Sequence, residues 1–353
     1  MKRVTATFRS SFLPLLSALL YLLLVQQVQA QTQTAPLAAD LVEDNQPIDF
    51  RGQKFTDFFI ELQDRHQFTA AQLRSIFTGL TIDRRVLVLM DRQGEAKPYY
   101  QYAPLFITNT IIQTGREKLA EYQTVLDRIE DTFGVNREVV VSIWGIETRY
   151  GANQGNFEVL RTLTTLFAAY PRRATFFGRE LVHFLLLCRE NGLDPRTIKG
   201  SYAGAFGQTQ FIPSSFRRYA VSFDGDRSRD VWNSVPDVLA SIANYLKHFG
   251  WTLDAPLYAE LGTRLNSQQL IHTEQVGRRG RISAQVVEQV QQVQLPPVPG
   301  NKPVSIVALE LPPSAKAEKR YLAGYPNFHA ITEWNHSNRY AMAVTELAEA
   351  LAQ

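Results

Sequence analysis

The sequence predicts a mainly α-helical fold with a minor β part, an α+β protein and not a parallel βαβ array. Apolar residues recur at steps of three and four along much of the chain, which is the spacing of one face of an α-helix. The stretch 304–311 (VSIVALEL) is instead a short apolar run rich in β-branched residues, as in a strand. With 45% hydrophobic and 20% charged residues, the composition is that of a globular protein.

The charge distribution argues against a nucleic-acid-binding surface. The 353 residues include 37 Lys+Arg and 34 Asp+Glu, a formal net charge of +3. Lys2, Arg3 and Arg9 account for the whole excess, because the first thirty residues contain no acid. The rest of the chain is charge-balanced, whereas nucleic-acid binding needs a clustered basic surface. The single cysteine, Cys188, lies in an apolar run, so we expect a buried thiol and no internal disulfide.

Residues 1–30 have the layout of a secretory signal peptide. A basic start precedes an apolar run over about 12–25, and Val28-Gln29-Ala30 is a small-x-small cleavage pattern. The alternative is a retained anchor, but the run is short of the roughly 20 residues that span a bilayer. No cysteine lies near the cleavage site, so no lipid anchor is predicted. We therefore expect an exported, periplasmic protein with a flexible lead-in over 31–49.

The helical pattern begins near Phe50 and is clearest over 117–133. Leu119, Tyr122, Leu126 and Ile129 share one face of a helix there. Further helices are predicted at about 137–149, 159–170, 173–191, 213–219, 235–249 and 340–351. Over 252–320 the texture changes to more Pro and Gly, a Gln/Val-rich stretch and the strand-like run. This change predicts a small β-containing subdomain inserted after a helical region.

Several familiar catalytic motifs are absent. His-Glu-x-x-His does not occur and the six histidines are scattered, so a zinc hydrolase site is not supported. Gly-x-Ser-x-Gly, Gly-x-Gly-x-x-Gly and a phosphate-binding loop ending in Gly-Lys-Ser/Thr are also missing.

Glu147 is a carboxyl group within an otherwise apolar stretch of a predicted helix. If 139–149 is a helix, Glu147 shares its face with Val140, Ile143 and Trp144. Desolvation on an apolar face raises the pKa of a carboxyl group, as a general acid near neutral pH requires. Gly151 would end the helix and leave Glu147 near its mouth. The alternative is a structural Glu paired with an arginine.

A second segment, Gly200–Ser215 (GSYAGAFGQTQFIPSS), combines small residues with Gln, Ser and aromatics. Small residues let the backbone approach a ligand closely, and neutral donors and acceptors suit sugar hydroxyls. The alternative is a tight helix–loop–helix packing site.

These motifs together resemble the lytic murein transglycosylase B family. The resemblance rests on 147–151 (ETRYG), 170–173 (YPRR), 200–215, 243–246 (ANYL), 325–328 (YPNF), 331–337 (ITEWNHS) and 340–344 (YAMAV). It is dense over about 120–251 and 321–350 and thin over 252–320. It implies a lysozyme-like helical catalytic core over 50–251 with an N-terminal helical region. It also implies that 321–353 returns to the core and cleft, after the small β-containing subdomain that the composition predicts over 252–320.

The resemblance implies cleavage of the β-1,4 bond between N-acetylmuramic acid and N-acetylglucosamine in peptidoglycan. The muramyl C6 hydroxyl attacks C1 and no water enters, so the product is a 1,6-anhydro sugar. Glu147 would be the single catalytic carboxylate, acting first as acid and then as base. Peptidoglycan glycan strands are the implied partner, alongside other cell-wall enzymes, and no cofactor is required. The alternatives are a lysozyme-like hydrolase that uses water and a non-catalytic peptidoglycan-binding protein.

The resemblance also carries binding residues onto this sequence. Ser201 and Gln210 should hydrogen-bond sugar groups, and Arg172 and Arg173 should hold lactyl or peptide carboxylates unless they are surface charge. The remaining cleft candidates are Tyr102, Tyr170, Phe211, Trp334, Asn335 and Tyr340. Trp334 stands where the family more often has Tyr, and Gln208 and Thr209 replace an aromatic-Gly pair.

The stretch 222–230 (SFDGDRSRD) matches a family loop that binds calcium in some members. Asp224 and Asp226 have the alternate spacing of hard-cation ligands, with Ser228 and Asp237 as further candidates. Ser222 replaces the usual first Asp and Arg227 replaces the turn Gly, so the alternative is a hydrogen-bonded turn without metal.

Overall fold

The computed structural model describes residues 37–92 and 97–353, and the predicted signal peptide lies outside these residues. Fifteen α-helices occur in this part of the chain. They are α1 (Gln53–Asp64), α2 (Ala70–Phe77), α3 (Arg84–Arg92), α4 (Tyr99–Tyr102), α5 (Asn109–Glu121), α6 (Gln123–Phe133), α7 (Arg137–Thr148), α8 (Val159–Ala169), α9 (Ala174–Glu190), α10 (Pro213–Tyr219), α11 (Val235–His248), α12 (Gln268–Gln275), α13 (Ala284–Gln291), α14 (Pro326–Trp334) and α15 (Asn338–Leu351). No described helix is long and apolar enough to cross a membrane.

The β structure is small and antiparallel. A two-stranded ladder pairs β1 (Phe157–Glu158) with β2 (Lys199–Gly200). A three-stranded sheet has the order β3-β5-β4, formed by β3 (Tyr258–Gly262), β4 (Ser305–Glu310) and β5 (Lys319–Gly324). The predicted mainly α fold with a minor β part is confirmed, and the strand-like run is β4.

Two hydrophobic cores organise residues 37–92 and 97–353. The larger core joins the helices of both the N-terminal and C-terminal parts, with α7 packed against α5, α11 and α15. The smaller core lies between the three-stranded sheet and helices α12 and α13, where Leu270, Val287, Val304 and Ile306 are almost fully buried. The C-terminal helix α15 therefore returns to the larger core and lies beside α7.

The chain before α1 is not a flexible lead-in from Ala38 onward. Ala38–Leu41 form a 3₁₀ turn, and Ala38 and Ala39 are buried against α3. The Ala39 N–H donates to Asp91 Oδ2 at 3.2 Å, and Arg84 Nε donates to the Ala39 carbonyl oxygen at 2.8 Å. Two small apolar residues and two long-range hydrogen bonds hold this segment, which its polar composition did not indicate.

The predicted helix over 117–133 is two helices. The break falls at Tyr122, whose φ of −105° and ψ of 20° depart from helical values between α5 and α6. The Tyr122 ring contacts the Trp144 ring edge-on at 6.1 Å. The apolar spacing continues through the break, so the periodicity alone could not reveal a kink at one residue.

Candidate active site

Glu147 lies in the last turn of α7, where the helix leaves the core. Arg149, Tyr150 and Gly151 follow with positive φ values of 51°, 58° and 89°, which end the helix. A side chain at Gly151 would overlap the Gln208 side-chain amide, so this position requires glycine. The helix end thus fixes Glu147 at the surface of the core, as the sequence predicted.

Two donors from the C-terminal segment bind the Glu147 carboxyl group. The Tyr340 hydroxyl donates to Oε1 at 2.6 Å, and the Trp334 indole Nε1–H donates to the same oxygen at 2.8 Å. Oε2 accepts no hydrogen bond from the described residues. One oxygen is therefore held in place, while the other is left for a ligand.

Burial raises the pKa of Glu147 to about 7, although the hydrogen bonds from Tyr340 and Trp334 act to lower it. The cause is desolvation, which disfavours the carboxylate. A group with this pKa is present in both protonation states near neutral pH, so it can give and take a proton in one cycle. Burial, then the charge of Glu147, also raises the pKa of Tyr102 to about 12. Tyr102 therefore stays neutral beside Glu147.

Aromatic rings form one side of the site. Trp334 contacts Tyr245 edge-on with ring centroids 4.7 Å apart, and contacts Phe211 at 5.0 Å. The Tyr245 hydroxyl donates to the Glu333 carbonyl oxygen at 2.7 Å. Tyr245 was not among the predicted site residues, although the motif at 243–246 contains it. The apolar rings lower solvent access around Glu147.

Two side chains of the Gly200–Ser215 segment hydrogen-bond to backbone groups of the same segment. Ser201 Oγ accepts the N–H groups of Ala203 and Ala205, at 3.3 and 3.1 Å. Gln210 Nε2 donates to the carbonyl oxygens of Gly207 and Gln154, at 2.9 and 3.2 Å. The Ser201 hydroxyl hydrogen and the Gln210 amide oxygen are the groups left for a ligand.

Gln208 explains the altered residues in this segment. Its Oε1 accepts the Trp144 Nε1–H at 2.8 Å, and its Nε2 donates to the Trp232 carbonyl oxygen at 2.8 Å. Thr209 beside it is fully buried. Gln208 thus ties the loop to α7 through Trp144, a structural role that a side-chain amide can fill.

The other predicted cleft residues are placed differently. Arg172 and Arg173 are exposed on the short turn between α8 and α9, and the Arg173 guanidinium lies 4.2 Å over the Phe176 ring. Tyr170 is buried and packs edge-on against Phe177 at 6.3 Å. Asn335 is exposed just after α14. Tyr170 therefore presents little surface, whereas the arginines and Asn335 are open to a ligand.

The acidic loop brings three carboxyl groups together. Ligand oxygens of Asp224, Asp226 and Asp237 lie within 4.8 Å of one another. Asp237 is buried, and its oxygens accept the N–H groups of Phe223 at 2.6 Å, Asp230 at 2.9 Å and Asp224 at 3.3 Å. Burial raises the pKa of Asp237, with these hydrogen bonds opposing it. The donor set suits a hard cation, but the chain's own N–H groups already occupy Asp237.

The fold and site are those of a mainly helical protein with a half-buried carboxyl group of raised pKa at a helix end. Residues 51–349 match the family model described as the transglycosylase SLT domain. The chain belongs to this family, which confirms the resemblance.

A named relative and two solved structures support membership of the same family. The membrane-bound lytic murein transglycosylase B of Escherichia coli strain K12 is 35% identical over 310 residues, covering 85% of this chain and 82% of its own. The E. coli lytic transglycosylase Slt35 in complex with calcium has a TM-score of 0.74 and 33% identity, covering 87% and 96%. SltB3 from Pseudomonas aeruginosa in complex with NAG-anhNAM-pentapeptide has a TM-score of 0.70 and 32% identity, covering 85% and 80%.

Proposed function

We propose that this protein is a peptidoglycan lytic transglycosylase. It cleaves the β-1,4 bond between N-acetylmuramic acid and N-acetylglucosamine without water and leaves 1,6-anhydro-muramyl ends. The observation that carries the proposal is Glu147, a single carboxyl group with a pKa of about 7, held on one oxygen by Tyr340 and Trp334. Membership of the SLT family and the names of the relatives support it.

Glu147 performs both proton transfers. Protonated at Oε2, it donates its proton to the glycosidic oxygen as the bond from that oxygen to C1 breaks. The resulting carboxylate then takes the proton of the C6 hydroxyl as the C6 oxygen bonds to C1. Both protons and both bonds balance, and Glu147 ends protonated, ready for another cycle.

The surroundings of Glu147 favour this route over hydrolysis by a pair of carboxylates. The usual glycosidase needs a second carboxyl group opposite the acid. Among the described residues, the polar groups facing Glu147 are Tyr340, Trp334 and Tyr102, and none is an acid. In the transglycosylase reaction the substrate supplies the nucleophile, so no second carboxylate is needed.

The remaining site residues are proposed to bind the glycan. The Ser201 hydroxyl, the Gln210 amide oxygen and the Asn335 amide suit sugar hydroxyl and N-acetyl groups. Phe211, Trp334, Tyr102, Tyr170 and Tyr340 supply aromatic surface or support it. Arg172 and Arg173 are proposed to hold lactyl or stem-peptide carboxylates, because both are exposed and guanidinium binds carboxylate in a bidentate way.

Residues from two parts of the chain form the proposed cleft. We assign the catalytic core to 50–251 together with 321–353, since Glu147 comes from the first part and Trp334 and Tyr340 from the second. Residues 252–320 form the β-containing subdomain. The N-terminal segment directs export to the periplasm, where peptidoglycan lies.

A divalent cation such as calcium would bind weakly at the acidic loop, and its role there would be structural. Asp224 and Asp226 are exposed and Ser228 lies beside them, but Asp237 would have to exchange N–H donors for the cation. Arg227 adds positive charge to the same loop. The loop is therefore held closed by its own hydrogen bonds, and the cation supplies no step of the reaction.

Mass spectrometry of digested sacculi tests the proposed function. Anhydro-muramyl products are expected from the transglycosylase. Reducing muramyl ends would instead establish the hydrolase, with Glu147 activating water. If the protein binds sacculi but releases no fragments, it is the non-catalytic binding protein.

A further inference from the structure

An ion pair joins the β-containing subdomain to the wall of the active site. The Arg278 guanidinium bonds to Glu333 Oε1, across 55 residues of sequence. Arg278 lies in the 3₁₀ turn Gly277–Arg279, and Glu333 is the penultimate residue of α14. The next residue, Trp334, donates its indole N–H to Glu147. The subdomain therefore contacts the end of α14, where Trp334 donates a hydrogen bond to Glu147.

The turn that presents Arg278 is fixed from several sides. The Gly280 N–H donates to the Gly277 carbonyl oxygen at 2.8 Å, and a side chain at Gly280 would overlap the Thr273 carbonyl oxygen on α12. Arg281 Nη1 donates to the carbonyl oxygens of Arg278 and Gly280, at 2.7 and 2.9 Å. Only glycine fits where the turn meets α12. Arg278 is thus held by its own backbone, not by side-chain reach alone.

Glu333 is fixed at its backbone as well. The Tyr245 hydroxyl donates to the Glu333 carbonyl oxygen at 2.7 Å, and the Tyr245 ring meets the Trp334 ring edge-on at 4.7 Å. Arg278 bonds to the Glu333 carboxylate, and Arg281 and Tyr245 also interact electrostatically with it. Two contacts, one from the subdomain and one from α11, hold the last turn of α14 and with it the direction of the indole.

We infer that Arg278 and Glu333 are positioning residues for Trp334, so that the β-containing subdomain sets the geometry of the Glu147 carboxyl group. This inference rests on the proposed function, because it assigns the subdomain the role of positioning Glu147, the proposed acid–base residue. Without the pair, the end of α14 can rotate, and the Trp334 N–H no longer reaches Oε1. Glu147 then keeps one hydrogen bond, from Tyr340, and its carboxylate form loses stabilisation.

The test compares pH–rate profiles of sacculus cleavage by purified Arg278→Gln, Arg278→Lys, Glu333→Gln and wild-type protein. We expect Arg278→Gln and Glu333→Gln to lower the rate roughly tenfold. Their alkaline limb should move upward by about half a pH unit, because loss of a donor favours the protonated carboxyl group. Arg278→Lys keeps the charge and should recover part of the rate. Arg279→Gln, an exposed cation in the same turn, is the matched control and should behave as wild type.

A double-mutant comparison separates positioning from general weakening. Trp334→Phe should move the limb in the same direction, and adding Arg278→Gln to it should move the limb no further. An additive effect, or an unmoved limb in Arg278→Gln, would overturn the inference while wild-type anhydro products left the proposed function standing. Thermal unfolding of each variant checks folding. Should Arg278→Gln not fold, the isosteric Glu333→Gln decides by the same limb shift.

Discussion

The Tyr340 hydroxyl donates a 2.6 Å hydrogen bond to Glu147 Oε1 across 193 residues of sequence. Tyr340 is in the first turn of α15, whose N-terminus is capped by Ser337 Oγ accepting the Tyr340 N–H at 3.2 Å. The cap fixes the helix start, and the helix start fixes the hydroxyl on the catalytic candidate. Burial and the neighbouring Glu147 also raise the pKa of Tyr340 far above its ordinary value, so the hydroxyl remains a donor.

Removal of this hydroxyl should change the pH dependence of cleavage. In Tyr340→Phe, Glu147 loses a hydrogen bond that lowers its pKa from the value that burial alone would give. Glu147 then stays protonated to higher pH, and the alkaline limb of the rate profile should move upward by about one unit. Tyr325→Phe is the control, since the Tyr325 hydroxyl donates to Pro296 in the subdomain. A limb that moves downward or stays put would contradict the hydrogen bond's role.

Protein stability should also depend on Glu147 in a predictable direction. The native pKa of about 7 lies above the unfolded value near 4.3. The stabilising effect of protonation is therefore complete below the unfolded pKa and is lost as pH rises through 7. Glu147→Gln removes this loss, so relative to wild type it should gain about 3 kcal/mol between pH 4 and pH 8. Urea unfolding at the two pH values measures the difference, and equal values at both would show that Glu147 is not desolvated.

The glycine at the start of the cleft segment should not tolerate a side chain. A Cβ at Gly200 would overlap the Ala205 carbonyl oxygen, which accepts the Ser201 N–H at 2.7 Å. Gly200→Ala should destabilise the protein by about 1–3 kcal/mol and slow cleavage, because it displaces Ser201. Gly52→Ala is the matched control, since its nearest neighbour to an added Cβ is 3.6 Å away. Chemical unfolding and cleavage rates compare the two, and equal effects would refute the steric account.

The acidic loop should depend on Asp237 even without a cation. Asp237→Asn in metal-free buffer should cost about 2 kcal/mol, because an amide cannot accept three N–H bonds with both terminal atoms. Asp226→Asn should cost far less in that buffer, since Asp226 is exposed. Asp226→Asn should also abolish any rise in melting temperature on adding calcium. A wild-type protein that unfolds when chelator is added would contradict a loop held by its own hydrogen bonds.

The sequence indicated what is local in this molecule. Apolar neighbours of Glu147 at helical spacing and the following Gly151 were enough to predict a raised pKa and a position at a helix end, and both agree with the structure. The mainly α fold class followed from the apolar spacing, and the β4 strand followed from a short apolar run rich in β-branched residues. These features depend on residues close together in the chain.

What the sequence could not reveal depends on contacts between distant segments. Nothing near Glu147 in the chain indicates that Trp334 and Tyr340 donate to one and the same oxygen. The Arg278–Glu333 contact likewise needs the subdomain folded against α14. Ser201 and Gln210 were expected to face the ligand, yet the side chain of each also hydrogen-bonds to the backbone of its own loop. These bonds depend on the backbone geometry of the loop, which the sequence does not reveal.

If Glu147 alone performs the acid–base chemistry, its replacement should stop the release of soluble fragments from purified sacculi. Wild type, Glu147→Gln and the control Glu138→Gln, the same change at the other end of α7, are compared at pH 7 after thermal unfolding shows that each is folded. Glu147→Gln should release fragments at least about 100-fold more slowly, with Glu138→Gln at the wild-type rate. Normal release by Glu147→Gln would show that another group performs the acid–base chemistry.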